Sequence, residues 1–284
     1  MSHIRHLLSD DQYYIFSSFY KNLKASRLEF YDITERDSLR FIFGHSMNQY
    51  MYKILNNKPS LLFTGLREPR NAVTSDFFYF IKTKRHSSSY VPNAKEFLDS
   101  RSNYVCKTLI NRFPAVAKHS GEKSLAKQAF AVLSLFDHIY DSDTIGKTSL
   151  PILRHLGINQ PITIHDNAKS TSISNEPLAQ QAHSDLEPIV DDYFADDIEL
   201  YNLYISNRTI DNSGVCRIQT SDNHLSKTEL METLPDSEKC EELNRELLIN
   251  EISYETRLLN STNEVISILK QRILNAEKVL HALD

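Results

Sequence analysis

The sequence predicts an α/β fold: a parallel sheet flanked by helices, followed by a long C-terminal helix or coiled coil. Two observations carry that expectation. The first is the alternation of strand-like and helix-like segments between Leu39 and Thr83. Strand, helix, strand and helix in series describe parallel strands joined by helical crossovers. The second is a seven-residue apolar repeat near the C-terminus, the period at which helices wind on one another.

Residues 1–35 read as helix, because "IRHLL" and "YIFSSFYKNL" space their apolar residues three and four apart. "LRFIFGH" (39–45) is short, aromatic and β-branched, and reads as a strand ending in Gly44-His45. "MNQYMYKILNN" (47–57) is helical, and Lys58-Pro59 stops it. Leu61 to Leu66 is a second buried strand, and residues 71–83 form the next helix. After a loop at 87–92 the pattern stays helical from about 93 to 157, including "LAKQAFAVLSLFDHIYDSD" and "SLPILRHLGI". Residues 166–178 are polar and loop-like, and "PIVDDYFADDIELYNLYI" (188–205) returns to helix. The organisation expected is one domain over 1–205, a polar linker over 206–238 and a helical tail over 239–284. In that tail Ile252, Leu259, Ile266, Ile273 and Leu280 keep a heptad register, with Leu269, Ala276 and Leu283 at companion positions. Glu255 and Thr262 interrupt the seam, so a long amphipathic helix folded back on the domain is the alternative to a coiled coil.

The 284 residues, 40% of them apolar, suffice for a real core. A net charge of −5 argues against bulk nucleic-acid binding, which needs a basic face. No apolar run reaches membrane-spanning length, and the start lacks the apolar stretch of a signal peptide. Three widely spaced cysteines suit a reducing compartment, hence a cytoplasmic protein, rather than a disulfide framework. Phosphate-loop, dinucleotide, zinc-protease and paired-cysteine motifs are absent. His3 and His6 share a helix spacing but have no third ligand, so no metal is expected.

The chemistry concentrates in "LLFTGLREPRNAVTSDFFYFIKT" (61–83). In open α/β sheets ligands bind beyond the carboxyl ends of the strands. Arg67 stands there, with the N–H groups of the next helix aimed the same way, an arrangement that favours an anion. Ser75, eight residues on, adds a hydroxyl donor. The fork of an arginine suits phosphate. The pair describes a phosphate grip, although an arginine–proline turn with a later serine is also an ordinary structural feature. Lys107 is a further candidate phosphate cation. Lys84 and Arg85 are candidates for an acidic glycan or else a solvated helix end. His165 and Asn167 are candidates for an acceptor cleft, because loops carry function.

Residues 39–83 resemble the sulfotransferase superfamily in its carbohydrate O-sulfotransferase branch, and are similar to the heparan sulfate 2-O-sulfotransferases. The likeness lies in Gly44-His45 at a strand end, then a spacer and strand, Arg67-Glu68-Pro69, Ser75 and the aromatics that follow. Looser likenesses are "NYVCKTL" (103–109), "HDNAKS" (165–170) and "DDIELYNLYI" (196–205). The resemblance implies a P-loop-NTPase-like sulfotransferase fold, with 3′-phosphoadenosine 5′-phosphosulfate as donor and a saccharide as acceptor. It makes Arg67 and Ser75 the grip on the 3′-phosphate and His45 the general base, with no metal. A homo-oligomer through the C-terminal helix is the further expectation.

Three departures qualify it. The family's second arginine, five residues after the first, is Ala72 here, with Arg70 two residues earlier. Asp76 follows Ser75, an acid beside a phosphate site. The family's opening strand and Pro-Lys-x-Gly-x-Thr-Ser loop have no counterpart, since "MSHIRHLL" looks like the helix after that loop. A late start, a fragment (which would also allow a lost Golgi anchor) or a lost half-site each account for this. The rival reading is a degenerate, non-catalytic sulfotransferase fold that oligomerises through its tail. A nucleotide-kinase relative is weaker, because the Walker lysine and its Ser/Thr are missing.

Overall fold

A computed structural model describes residues 13–16, 41–44, 47–55, 61–84, 94–141, 149–158, 177–219, 225–244 and 246. Among these, six short strands pair two by two. β1 (Tyr13–Phe16) runs parallel to β2 (Phe41–Gly44), and β3 (Phe63–Leu66) runs parallel to β4 (His138–Asp141). β5 (Arg208–Ile210) and β6 (Cys216–Ile218) form an antiparallel hairpin. The strand–helix–strand–helix series is present as β2, α1 (Gln49–Leu55), β3 and α2 (Pro69–Lys84). Then come α3 (Ala94–Arg101), α4 (Tyr104–Arg112), α5 (Pro114–His119) and α6 (Leu125–Leu133). Beyond β4 lie α7 (Leu150–His155), α8 (Pro177–Leu186), α9 (Val190–Tyr193), α10 (Ala195–Asn207) and α11 (Lys227–Thr233).

The β3–β4 ladder is covered by helices on both faces, and the period of two along each strand sorts its side chains. Leu62, Leu66 and Ile139 enter the main core with Cys106, Leu109, Val132, Leu200 and Tyr204 of α4, α6 and α10. Leu61, Phe63 and Tyr140 pack instead on Ile152, Leu153 and Leu156 around α7. Gly65 pairs with Tyr140 in the ladder, and the tyrosine ring lies where a Cβ at Gly65 would sit, 2.5 Å away. A third cluster joins α2, α3, α8 and α9 through Val73, Phe77, Phe97, Leu186 and Val190, with Phe194 just after α9.

Four segments differ from the sequence expectation or extend it. Tyr13–Phe16, expected inside a helix, is a strand parallel to β2. A four-residue aromatic and β-branched run satisfies either period, and pairing decides. His138–Asp141, also expected as helix, is β4. There Asp137 accepts from the Leu62 amide at 2.8 Å and donates its own amide to the Leu62 carbonyl at 2.7 Å, which docks β4 beside β3. Residues 206–238, expected as a polar linker, hold the β5–β6 hairpin and α11 and bury Cys216, Ile218, Leu225, Leu230 and Met231 in the main core. Residues 237–244 continue as helix, with Cys240 in the core and Asn244 buried against Asn48 by a 2.9 Å hydrogen bond. The heptad positions from Ile252 to Leu283 lie outside the described residues. No helix among the described residues is long and apolar enough to cross a membrane.

Candidate functional site

The chain leaves β3 at Leu66, and Arg67 is the next residue, half-buried beyond the strand's carboxyl end. It lines a small cavity together with Asp76 of α2, Arg101 of α3, Tyr104 of α4, and Phe194 and Asp197 at the start of α10. The cavity encloses about 30 Å³. That is room for two or so water-sized groups, far less than the ~300 Å³ of a typical small-molecule pocket.

Helix geometry selects which residues of α2 face it. Pro69, Ala72, Val73 and Asp76 fall at positions i, i+3, i+4 and i+7, one face of the helix, and all four line the cavity. Ser75 sits about 100° round the helix from Asp76 and is exposed. The charged side chain that α2 brings to the cavity is therefore Asp76, and Ser75 is not part of its lining.

The N-terminus of α2 already has an anion of its own. Glu68 accepts from the amides of Arg70 at 3.1 Å and Asn71 at 2.7 Å, which satisfies two of the donors that helix ends leave open. Arg70 forks onto Asp191 at 3.0 and 2.6 Å, an exposed pair on the outside of α2.

On the opposite wall, α4 and α10 meet at their N-termini and cap each other. Asn103, before α4, adopts the left-handed conformation with φ 47°. Its side-chain Oδ1 accepts from the backbone amides of Asp196 at 3.1 Å and Asp197 at 3.3 Å, and its side-chain Nδ2 donates to the Asp196 carboxylate at 2.9 Å. In return Asp197 accepts from the amides of Cys106 at 2.8 Å and Val105 at 3.2 Å. Asp197 is 4% exposed. Burial raises its carboxyl above the ordinary range, and the bonds from Cys106 and Val105 oppose that rise. Burial and the neighbouring Asp197 charge both push the Cys106 thiol strongly up, so it stays a neutral core group.

Two arginines thus border one cleft. Arg101 holds its guanidinium 4.6 Å from the centre of the Tyr104 ring, a cation–π contact that fixes its position. Tyr104 itself is 43% exposed. Lys107 is exposed and donates to the Ser102 carbonyl at 2.7 Å, which ties it to the end of α3. It does not line the cavity. Lys84 ends α2, and its side chain, with His45, Arg85, His165 and Asn167, lies outside the described residues. Among the described residues no group of three His, Cys, Asp or Glu side chains could hold a metal ion. Sequence reasoning did not name Arg101 and Tyr104, which flank the break between α3 and α4, or Asp197 as site residues. The acidic pair Asp196-Asp197 at a helix start was the available signal. No family model, no curated protein and no solved structure matches the chain.

Proposed function

We propose that the chain is a carbohydrate O-sulfotransferase that moves a sulfuryl group from 3′-phosphoadenosine 5′-phosphosulfate to a saccharide hydroxyl. One observation carries the reading. In the β2–α1–β3–α2 series, Arg67 lies immediately beyond the carboxyl end of a parallel strand and borders a cavity, where ligands of α/β sheets bind. The resemblance supplies the roles. Arg67 holds the 3′-phosphate, and His45, next after β2, accepts the proton of the attacking hydroxyl. The acceptor oxygen bonds to sulfur in line as the sulfur–oxygen bond to the 5′-phosphate breaks, and the electron pair leaves with the bisphosphate. Such a base contributes ~10²–10⁴-fold, and the cation positions the donor. The three buried, free cysteines suit a cytoplasmic setting, and the heptad tail suits a homo-oligomer.

The test is titration of the full chain with adenosine 3′,5′-bisphosphate by calorimetry, alongside labelled donor and a panel of glycans. Wild type is expected to bind and to label a saccharide, Arg67→Ala to lose binding at least tenfold, and His45→Ala to bind but not turn over. A fully active Arg67→Ala enzyme refutes the reading. The non-catalytic scaffold draws support from one feature: the α2 N-terminus is occupied by Glu68. Wild-type protein that neither binds the bisphosphate nor labels any glycan, yet self-associates through residues 239–284, establishes that alternative.

A further inference from the structure

The proposed donor grip leaves open what completes it, because Ser75 is exposed on α2 and does not line the cavity. We propose that Arg101, not Ser75, is the second group binding the donor's terminal phosphate monoester, so that Arg67 and Arg101 clamp it from two walls of one cavity. The inference rests on the sulfotransferase reading.

Three features point to that ligand chemistry. The cavity's about 30 Å³ matches a few oxygen atoms rather than a nucleotide, so an end group enters and the rest of the ligand stays outside. Two arginines line it, one just beyond the end of β3 and one at the end of α3. A carboxylate's two oxygens are consumed by one fork, whereas a phosphoryl group offers three oxygens and a double charge to two. The Tyr104 ring holds Arg101 from one side at 4.6 Å and, with 43% of its surface exposed, offers an apolar flank to the sugar that carries the phosphate.

The carboxylates at the cavity play different parts. Asp197 spends both oxygens on the amides of Cys106 and Val105, so its acceptors are committed to α4. Asp76, on the cavity face of α2, is itself exposed and borders the cavity. Its charge opposes that of the phosphate and sets a limit on affinity. Asp76 is thus an affinity-lowering residue and Arg101 an affinity-conferring one.

The test titrates adenosine 3′,5′-bisphosphate, and adenosine as an uncharged comparator, into the full chain and four variants, with circular dichroism checking the fold. Arg101→Ala is expected to weaken bisphosphate binding at least tenfold and to flatten its salt dependence. Arg101→Lys, which keeps the charge without the fork, should fall between. Asp76→Asn should tighten binding several-fold, and Arg70→Ala, on the outer face of α2, should bind as wild type. If Arg101→Ala loses its fold, Asp76→Asn and Arg101→Lys still decide. Bisphosphate binding in wild type that both of these leave unchanged overturns the Arg101 clamp while the sulfotransferase reading stands. No binding by wild type overturns both.

Discussion

The junction of α4 and α10 makes the most quantitative prediction. Replacing Asp197 by alanine removes two acceptors for the amides of Cys106 and Val105, at 2.8 and 3.2 Å. Cys106 is fully buried, so water cannot replace that partner. A charge-assisted hydrogen bond contributes ~1.5–3 kcal/mol, a stranded buried donor costs ~1–3 kcal/mol, and a lost helix cap costs ~1 kcal/mol. These overlap, and the cost of burying the carboxylate offsets part of them. The net expectation for Asp197→Ala is a destabilisation of about 2–4 kcal/mol. Asp197→Asn keeps one oxygen acceptor and turns an N–H₂ toward the other amide, so about 1–2 kcal/mol is expected. The pH dependence separates the two effects. Burial, the larger influence, holds the folded carboxyl above its ordinary value despite the amide bonds. Its contribution is therefore full below the unfolded value and is lost as pH rises through the raised folded value. Wild type should lose stability relative to Asp197→Asn across that window and run parallel to it above. The assay is urea unfolding at a series of pH values, with hydrogen exchange at the Cys106 amide. An alanine variant within ~0.5 kcal/mol of wild type, with the Cys106 amide still protected, would refute the reciprocal cap.

Two further substitutions test the fold around the site. Gly65→Ala sets a methyl group 2.5 Å from the Tyr140 ring. Overpacking of that kind costs ~1–3 kcal/mol. Unfolding midpoints should show it, and Tyr140→Val in the same chain should recover part of the loss. Ser226→Ala breaks the capping box that α11 shares between Ser226 and Glu229, at a cost of ~1 kcal/mol. Hydrogen bonds from Ser226 hold the Glu229 carboxyl below its usual range. The box therefore contributes above the ordinary carboxylate range and fades as pH falls through the lowered value. Equal acid-unfolding curves for wild type and Ser226→Ala would count against it.

Local pattern made the middle of the chain legible. "FIFG", "QYMYKIL" and "LLFTGL" each repeat a single period and end in a stop signal, so β2, α1 and β3 stand within a few residues of their expected places. The same logic misread "YYIF" and "HIYD", which are too short to show a period. It also read 206–238 as polar because that segment buries its apolar residues in short pieces, with Leu225, Leu230 and Leu234 separated by solvated positions. The Ser226-x-x-Glu229 signature was present and went unused.

By itself the sequence determined the order of β2, α1, β3 and α2 and the position of Arg67 beyond β3, because both follow from contacts within a few residues. It determined nothing about who shares the cavity with that arginine. Arg101, Tyr104 and Asp197 reach Arg67 only because Asn103 and Asp197, more than ninety residues apart, tie two helix ends together. Likewise β4 joins β3 through Asp137 and Leu62 across 75 residues. Such pairings depend on which buried polar groups find partners once the chain has closed, and tertiary structure alone decides them.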